Sequence, residues 1–300
     1  MKTIISASRR TDIPAWYTEW FIERLREGYV YVKNPYTGKP LRVPLTPDTV
    51  HSIVFWSKNF SPLISRIHEV ERTTRNLFFH FTITGIPGDM EQNIPSHREC
   101  IDDLIYLVKR YSPRCVVWRF DPLVVTDRLS REFYIDMFSE CAERLRGYIR
   151  VCYTSLVEPY RKITRNIRRY SDHTLIEMDI EEKRGLIHVL ADVAKRYDIR
   201  LLVCCNDYLL YEGVSKGSCI NGRYLSWVFN DHSTTLESSP TRKGCACTKS
   251  IDIGSYDTCP GGCLYCYANT DKHRALKAYR THNPEWNGLG FNLTRGKTFL

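Results

Sequence analysis

A chain of 300 residues with 43% hydrophobic and 26% charged residues reads as soluble and globular, long enough for one large domain or two modest ones. No apolar run reaches the ~20 residues of a membrane-spanning helix, which excludes helical membrane proteins. The net charge of +9 suits an anionic substrate or nucleic acid, although no long Lys/Arg run or aromatic-plus-basic stripe marks a nucleic-acid track.

In chain order, short runs rich in Val, Ile, Phe and Tyr alternate with amphipathic stretches. The pattern predicts strands over residues 3–7, 52–56, 77–84, 115–120, 148–155 and 199–204. A helix is predicted over 14–27, opened by Thr11, Asp12 and Pro14 and closed by Gly28. Another covers 96–111, with Ile101, Leu104, Ile105 and Val108 on one face. Ser130 opens a helix over 130–146, and Leu186, Ile187, Leu190, Val193 and Ala194 mark one over 179–197. This alternation predicts an α/β fold, a parallel sheet covered by helices, as a barrel or an open sheet. Residues 207–243, rich in Gly, Ser, Asn and Thr, read as a long irregular excursion, and Cys219 inside it favours a functional one. The polar tail after Asn283 reads as a surface extension, and residues 293–300 carry no readable signal.

Twelve cysteines without a charged-then-apolar leader predict a cytoplasmic protein with reduced, metal-binding thiols. Five of them lie in residues 245–268, and Cys259, Cys263 and Cys266 have the spacing C-x3-C-x2-C. Pro260, Gly261 and Gly262 let the backbone turn tightly between the thiols. A closed structural site takes four ligands, whereas three leave a reactive centre with an open position. The residues alone admit zinc with a distant fourth ligand, a disulfide network or an iron–sulfur cluster, and the count favours the cluster.

With Tyr265 before the last Cys, this loop resembles the cluster loop of radical S-adenosylmethionine (radical SAM) enzymes. In most of those the loop follows the first barrel strand near the N-terminus; here it begins at residue 259. Through SASRRTDIPAWY (6–17), FWSKN (55–59), WRFDP (118–122) and the C-terminal cysteine block, the whole chain resembles an uncharacterised bacterial and archaeal family with this layout. The resemblance implies a cofactor and leaves the substrate open. It implies an α/β fold of circularly permuted, partial (β/α) barrel type, with a Cys-rich C-terminal region. Residues 250–254 would be the opening strand, 268–279 the helix after the loop, and 3–7 the second strand, since termini often lie close together. One integrated domain is expected: residues 1–206 as the main barrel, 207–249 as the excursion and 250–300 as the permuted strand, loop, helix and tail.

On this layout the end of the second strand meets the methionyl group of SAM. Asp12 or Ser8 is expected to take the ammonium, and Arg9 or Arg10 the carboxylate. Asp12 could equally cap the helix starting at Pro14. Tyr265 and Tyr267 are expected near the adenine, or as core packing. Arg119, between Trp118 and Phe120, needs a ligand carboxylate or Asp121 as partner. His80, in an apolar strand, reads as a core histidine. Polar residues at the ends of apolar strands, such as Lys58 and Thr84, are further candidates.

Cys205, Cys219, Cys245 and Cys247 form, through the family resemblance, a four-thiolate shell for a second 4Fe–4S cluster or for zinc. Cys205 is preferred over Cys204 because neighbours on a strand face opposite ways. Cys100, Cys115, Cys141 and Cys152 read as buried small apolar residues. The expected function is reductive cleavage of SAM at a 4Fe–4S cluster to a 5′-deoxyadenosyl radical. The substrate would be a small molecule or nucleic acid, the electron donor a ferredoxin or flavodoxin, and no membrane is involved. Spore photoproduct lyases are the nearest analogy, at the level of fold alone. The alternative is a non-catalytic iron–sulfur or zinc protein in electron transfer or nucleic-acid binding.

Overall fold

The computed structural model describes residues 1–293. Its strands are β1 (Thr3–Ala7), β2 (Tyr29–Lys33), β3 (Pro40–Pro44), β4 (Val50–Ser57), β5 (Leu77–Thr82), β6 (Val116–Leu123), β7 (Val151–Leu156), β8 (Arg200–Val203), β9 (Ser215–Lys216) and β10 (Ile251–Asp252). Eight of them make one sheet in the order β10-β1-β4-β5-β6-β7-β8-β9, with every neighbouring pair parallel. Among the described residues β9 and β10 do not pair with each other, so the sheet is open at that seam. β2 and β3 form a separate antiparallel hairpin. The strand nearest the C-terminus, β10, pairs with the strand nearest the N-terminus, with Ile5 opposite Ile251 and Ser6 opposite Asp252.

Parallel strands covered on both faces read as continuous apolar runs, and β4 to β8 do so. Alternate residues point to opposite faces. Ile5, Ile53, Phe55, Phe79, Phe81, Trp118, Phe120, Cys152 and Leu201 join the larger core. Ile4, Val54, Phe78, Val117, Tyr153, Leu202 and Cys204 face the other way and meet Ile220, Leu225 and Cys247. Residues 207–249 therefore cover the second face of the sheet. They contain β9 and the helix Gly222–Phe229, so the segment expected to be irregular is partly ordered.

The helix expected over 14–27 is two helices, Ile13–Trp16 and Thr18–Glu27. The break is at Tyr17, whose hydroxyl donates to the Thr258 carbonyl at 2.6 Å. His97–Arg110 and Ile180–Arg196 open with capping boxes, Ser96 with Glu99 and Asp179 with Glu182. Ser130 caps Arg131–Arg144. The basic helix Arg161–Tyr170, outside the predicted elements, buries Ile163, Asn166 and Ile167. It lies against the cysteine loop, with Lys162 donating to the Tyr267 carbonyl and Arg165 to that of Thr270. Cys100, Cys115, Cys141 and Cys152 are buried.

The stretch after Asn283 is packed, in contrast to the surface extension expected of it. Trp20 Nε1 donates to the Trp286 carbonyl at 2.8 Å, the Tyr31 amide donates to Asn287 at 2.7 Å, and Leu289 is buried. Residues 294–300, within the stretch that carries no sequence signal, lie outside the described residues. His282 anchors this strap edge-on against Tyr17, Trp20 and Trp286. Burial, helped by the Arg24 cation, lowers its pKa to about 4. A histidine held neutral in the folded chain adds stability that is fully present above the unfolded pKa of about 6.5 and is lost as pH falls towards 4. In urea denaturation, the wild type should lose about 1–2 kcal/mol relative to His282→Leu between pH 7 and pH 4.5, allowing for solvent screening at this half-buried site. A difference independent of pH would contradict this.

Candidate functional site

The site is built where the two ends of the chain meet. The buried Asp252 carboxylate, on β10, accepts hydrogen bonds from Ser6 Oγ at 2.6 Å, Ser8 Oγ at 2.7 Å, the Arg9 amide at 2.8 Å and the Gly254 amide at 3.0 Å. Arg9 Nε stands 3.7 Å from it and Arg10 Nε 4.0 Å. A carboxylate with this many donors is fully compensated for leaving water. Gly254 is required sterically, because a Cβ there would lie 2.0 Å from Ser8 Oγ. Asp252 thus fastens the segment Ser8 to Arg10 to the strand that leads into the cysteine loop.

The loop itself is held by the body of the protein. Asn93 donates through its backbone amide to Gly261 at 3.1 Å and through its side chain to Pro260 at 2.8 Å. The Leu264 amide donates to Met90 at 3.0 Å, and Asn269 Nδ2 to the Cys259 carbonyl at 2.8 Å. Gly262 takes a left-handed φ of 77°, which a residue with a Cβ rarely adopts. Burial pushes the thiols of Cys259, Cys263 and Cys266 up, and the nearby carboxylates of Asp12 and Glu91 add to this at Cys259 and Cys263 respectively. The three thiols sit in one half-buried loop, poorly reached by water. The backbone amides of Gly261 and Asp12 face the Cys259 sulfur. The Tyr267 hydroxyl donates to the Arg9 carbonyl, a direct tie between the N-terminal segment and the loop.

Behind Cys263 lies a buried polar group. Lys58 Nζ stands 2.9 Å from Glu91 and 3.1 Å from Thr84 Oγ1, and the Tyr265 hydroxyl donates to Glu91. Burial alone would discharge Lys58, but Glu91 and the Cys263 sulfur hold its pKa above the usual value, so it stays cationic.

The expected site residues separate into two groups. Ser8, Arg9, Arg10, Asp12, Tyr265 and Tyr267 come together around the loop. Asp12 serves as the cap: Oδ1 accepts from the Ala15 amide at 3.0 Å and from Ser57 Oγ at 2.7 Å, and Oδ2 from the Lys58 amide at 3.1 Å. Desolvation pushes its carboxyl up to about 6 against these bonds. Tyr265 is buried with its hydroxyl on Glu91, which is the core-packing role, whereas Tyr267 is half exposed. Arg119 belongs elsewhere: it pairs with Asp121 at 2.5 Å and donates to Cys219 Sγ at 3.2 Å. His80 is a buried histidine stacked on Trp56, with Nε2 2.7 Å from the Cys219 carbonyl.

Cys205, Cys219, Cys245 and Cys247 also converge, together with Cys204, which the sequence reading set aside. Cys204 Sγ lies 3.7 Å from Cys205 Sγ and 3.3 Å from Cys219 Sγ. The alternation rule fails here because β8 ends at Val203 and Cys205 adopts a left-handed φ of 63°. Among the described residues, no group of three or more His, Cys, Asp or Glu side chains is placed to hold a metal ion as it stands. Asp252 and Glu91 are the functional-site residues that sequence reasoning missed. The acidic residue inside the otherwise apolar run IDIG was the one signal available for Asp252.

The fold and site define an α/β protein with a parallel sheet and a cysteine loop where β1 and β10 adjoin. A family model described as "Domain of unknown function (DUF1848)" matches residues 4–268, and the chain belongs to that family. No curated protein and no solved structure was found to match it.

Removing the Asp252 carboxylate strands the donors of Ser6, Ser8 and Arg9 in the interior. Asp252→Ala should cost about 3–5 kcal/mol in urea denaturation, whereas Glu237→Ala, at the exposed pair with Lys249, should cost under about 1 kcal/mol. Equal small effects would show that Asp252 does not fasten the two ends.

Proposed function

We propose that this protein is a radical SAM-type enzyme on a circularly permuted partial barrel, in which Cys259, Cys263 and Cys266 hold a 4Fe–4S cluster. One observation carries the reading: the segment Ser8 to Asp12 lies against a loop of three half-buried thiols, joined to it by Asp252 and Tyr267. The donor set fits the group. A cubane takes one thiolate per iron, so its ligands need not converge on one point, and three thiolates leave one iron for SAM. Trp16 Nε1 is buried without a partner. A Cβ on Gly261 would lie 3.8 Å from that nitrogen and 3.4 Å from Cys259 Sγ. An unpaired donor beside the thiols suits a neighbour rich in acceptor sulfur.

The chemistry supplied by such a cluster when bound is one-electron reduction of the SAM sulfonium, releasing methionine and a 5′-deoxyadenosyl radical that takes hydrogen from substrate. The chain's own residues bind and orient. Arg9 Nε and Arg10 Nε stand 3.7 and 4.0 Å from Asp252; Arg9 gives Nη2 to Ser250 at 3.2 Å and keeps Nη1, and Arg10 keeps both Nη groups, for the methionyl carboxylate. Ser8 is engaged with Asp252 and the Arg10 amide, so it positions the segment. Asp12 Oδ2 receives one donor and keeps room for the methionyl ammonium. Lys58 beside Cys263 offsets thiolate charge where water is excluded.

Anaerobically reconstituted, reduced protein given SAM should release 5′-deoxyadenosine, and Cys263→Ala should lower the rate at least about 100-fold, a loss of roughly 3 kcal/mol or more. Cluster-replete wild type that releases none would overturn the reading.

A further inference from the structure

Cys204 and Cys205 follow β8, Cys219 follows β9, and Cys245 and Cys247 precede β10. Far apart in sequence, their side chains gather in one place. Cys204 Sγ lies 3.7 Å from Cys205 Sγ and 3.3 Å from Cys219 Sγ, and Cys204 and Cys247 belong to one buried cluster against which Cys205, Cys219 and Cys245 pack. The backbone that carries them is laced in advance. Ser218 Oγ donates to Ala246 at 2.8 Å, the Thr248 amide donates to Ile220 at 2.8 Å, and the Ile220 amide points at Cys247 Sγ at 3.4 Å. The Tyr153 hydroxyl holds the Ser218 carbonyl at 3.0 Å. Gly244, at φ 76°, lets the loop bearing Cys245 press on Cys205: a Cβ there would stand 2.9 Å from the Cys205 carbonyl oxygen.

Two guanidinium cations stand beside the sulfurs. Arg119 donates to Cys219 Sγ at 3.2 Å while sharing its charge with Asp121, and Arg242 reaches Cys205. Four thiolates around a zinc ion, or around a 4Fe–4S cluster in its oxidised 2+ state, carry a net charge of about −2, and two flanking guanidiniums offset it.

We propose that Cys219, Cys245, Cys247 and the vicinal pair Cys204–Cys205 form a second, thiolate-only metal centre, separate from the loop at residues 259–266, which takes a thiophilic ion or cluster. Loading requires the sulfurs to turn from one another toward a common centre. Five thiols serve four ligand positions, so this centre is closed to substrate and acts in structure or electron relay.

The test uses the full chain with Cys259, Cys263 and Cys266 all changed to Ala, which removes the first site without touching the second. Purified, and reconstituted anaerobically with iron and sulfide, this variant should hold about one zinc, or about four irons and four sulfides, per chain. The two compositions identify the occupant. Adding Cys219→Ala and Cys245→Ala should abolish the metal while circular dichroism stays unchanged. Should the folded three-cysteine variant carry neither metal, should a Cys204–Cys219 disulfide form in its place, or should metal survive loss of Cys219 and Cys245, the proposal is overturned. The first site plays no part in this readout, so its reading and this one fail separately.

Discussion

One buried carboxylate joins the two ends of the chain. Asp252 sits on a strand with two residues in its ladder, too short to hold its place by backbone bonds alone. Its side chain takes four donors, three of them from Ser6, Ser8 and Arg9. Bonds to a charged acceptor are the strong ones, and a buried acceptor must find its donors or be costly. The pairing of β10 with β1 and the nearness of the N-terminal arginines to the cysteine loop both follow from this contact.

The sheet then sorts the cysteines by position. The loop at residues 259–266 lies just beyond β10, level with the ends of β1 and β4, where Ser8, Asp12 and Lys58 gather. The second set lies on the face covered by residues 207–249, against His80, Tyr153 and Arg119. Each set has a cation at hand, Lys58 for the first and Arg119 for the second. The stacked Trp56 and His80 rings and Arg9, over the Trp56 face at 5.6 Å, line the stretch of sheet from the N-terminal segment to the second set.

Much of this was legible in the sequence. The major strands stand out because parallel strands buried on both faces are runs of Val, Ile and Phe, and β1 coincides with the stretch expected at residues 3–7. Ser96, Ser130 and Asp179 marked helix starts through side-chain oxygens that must satisfy free amides. The order of the short strands β9 and β10 was less visible, since two residues give no period. Cys204 was missed because strand alternation was carried one residue past the strand's end. Arg119 pairs with Asp121, the partner two residues on that the sequence offered, but its contact with Cys219 spans 100 residues and leaves no local trace. Asp252 was missed for the same cause: three of its four donors lie more than 240 residues away.

The central claim is that the N-terminal segment and the three-cysteine loop together make a place where SAM meets an iron–sulfur cluster. Electron paramagnetic resonance of reduced, reconstituted protein tests it most directly, in a variant lacking Cys219 and Cys245 so that only the first site contributes. Addition of SAM should shift the reduced-cluster signal as the open iron gains its ligand, and Arg9→Ala with Arg10→Ala should weaken the SAM dependence. A signal indifferent to saturating SAM, or one requiring a fourth protein ligand, would contradict the account.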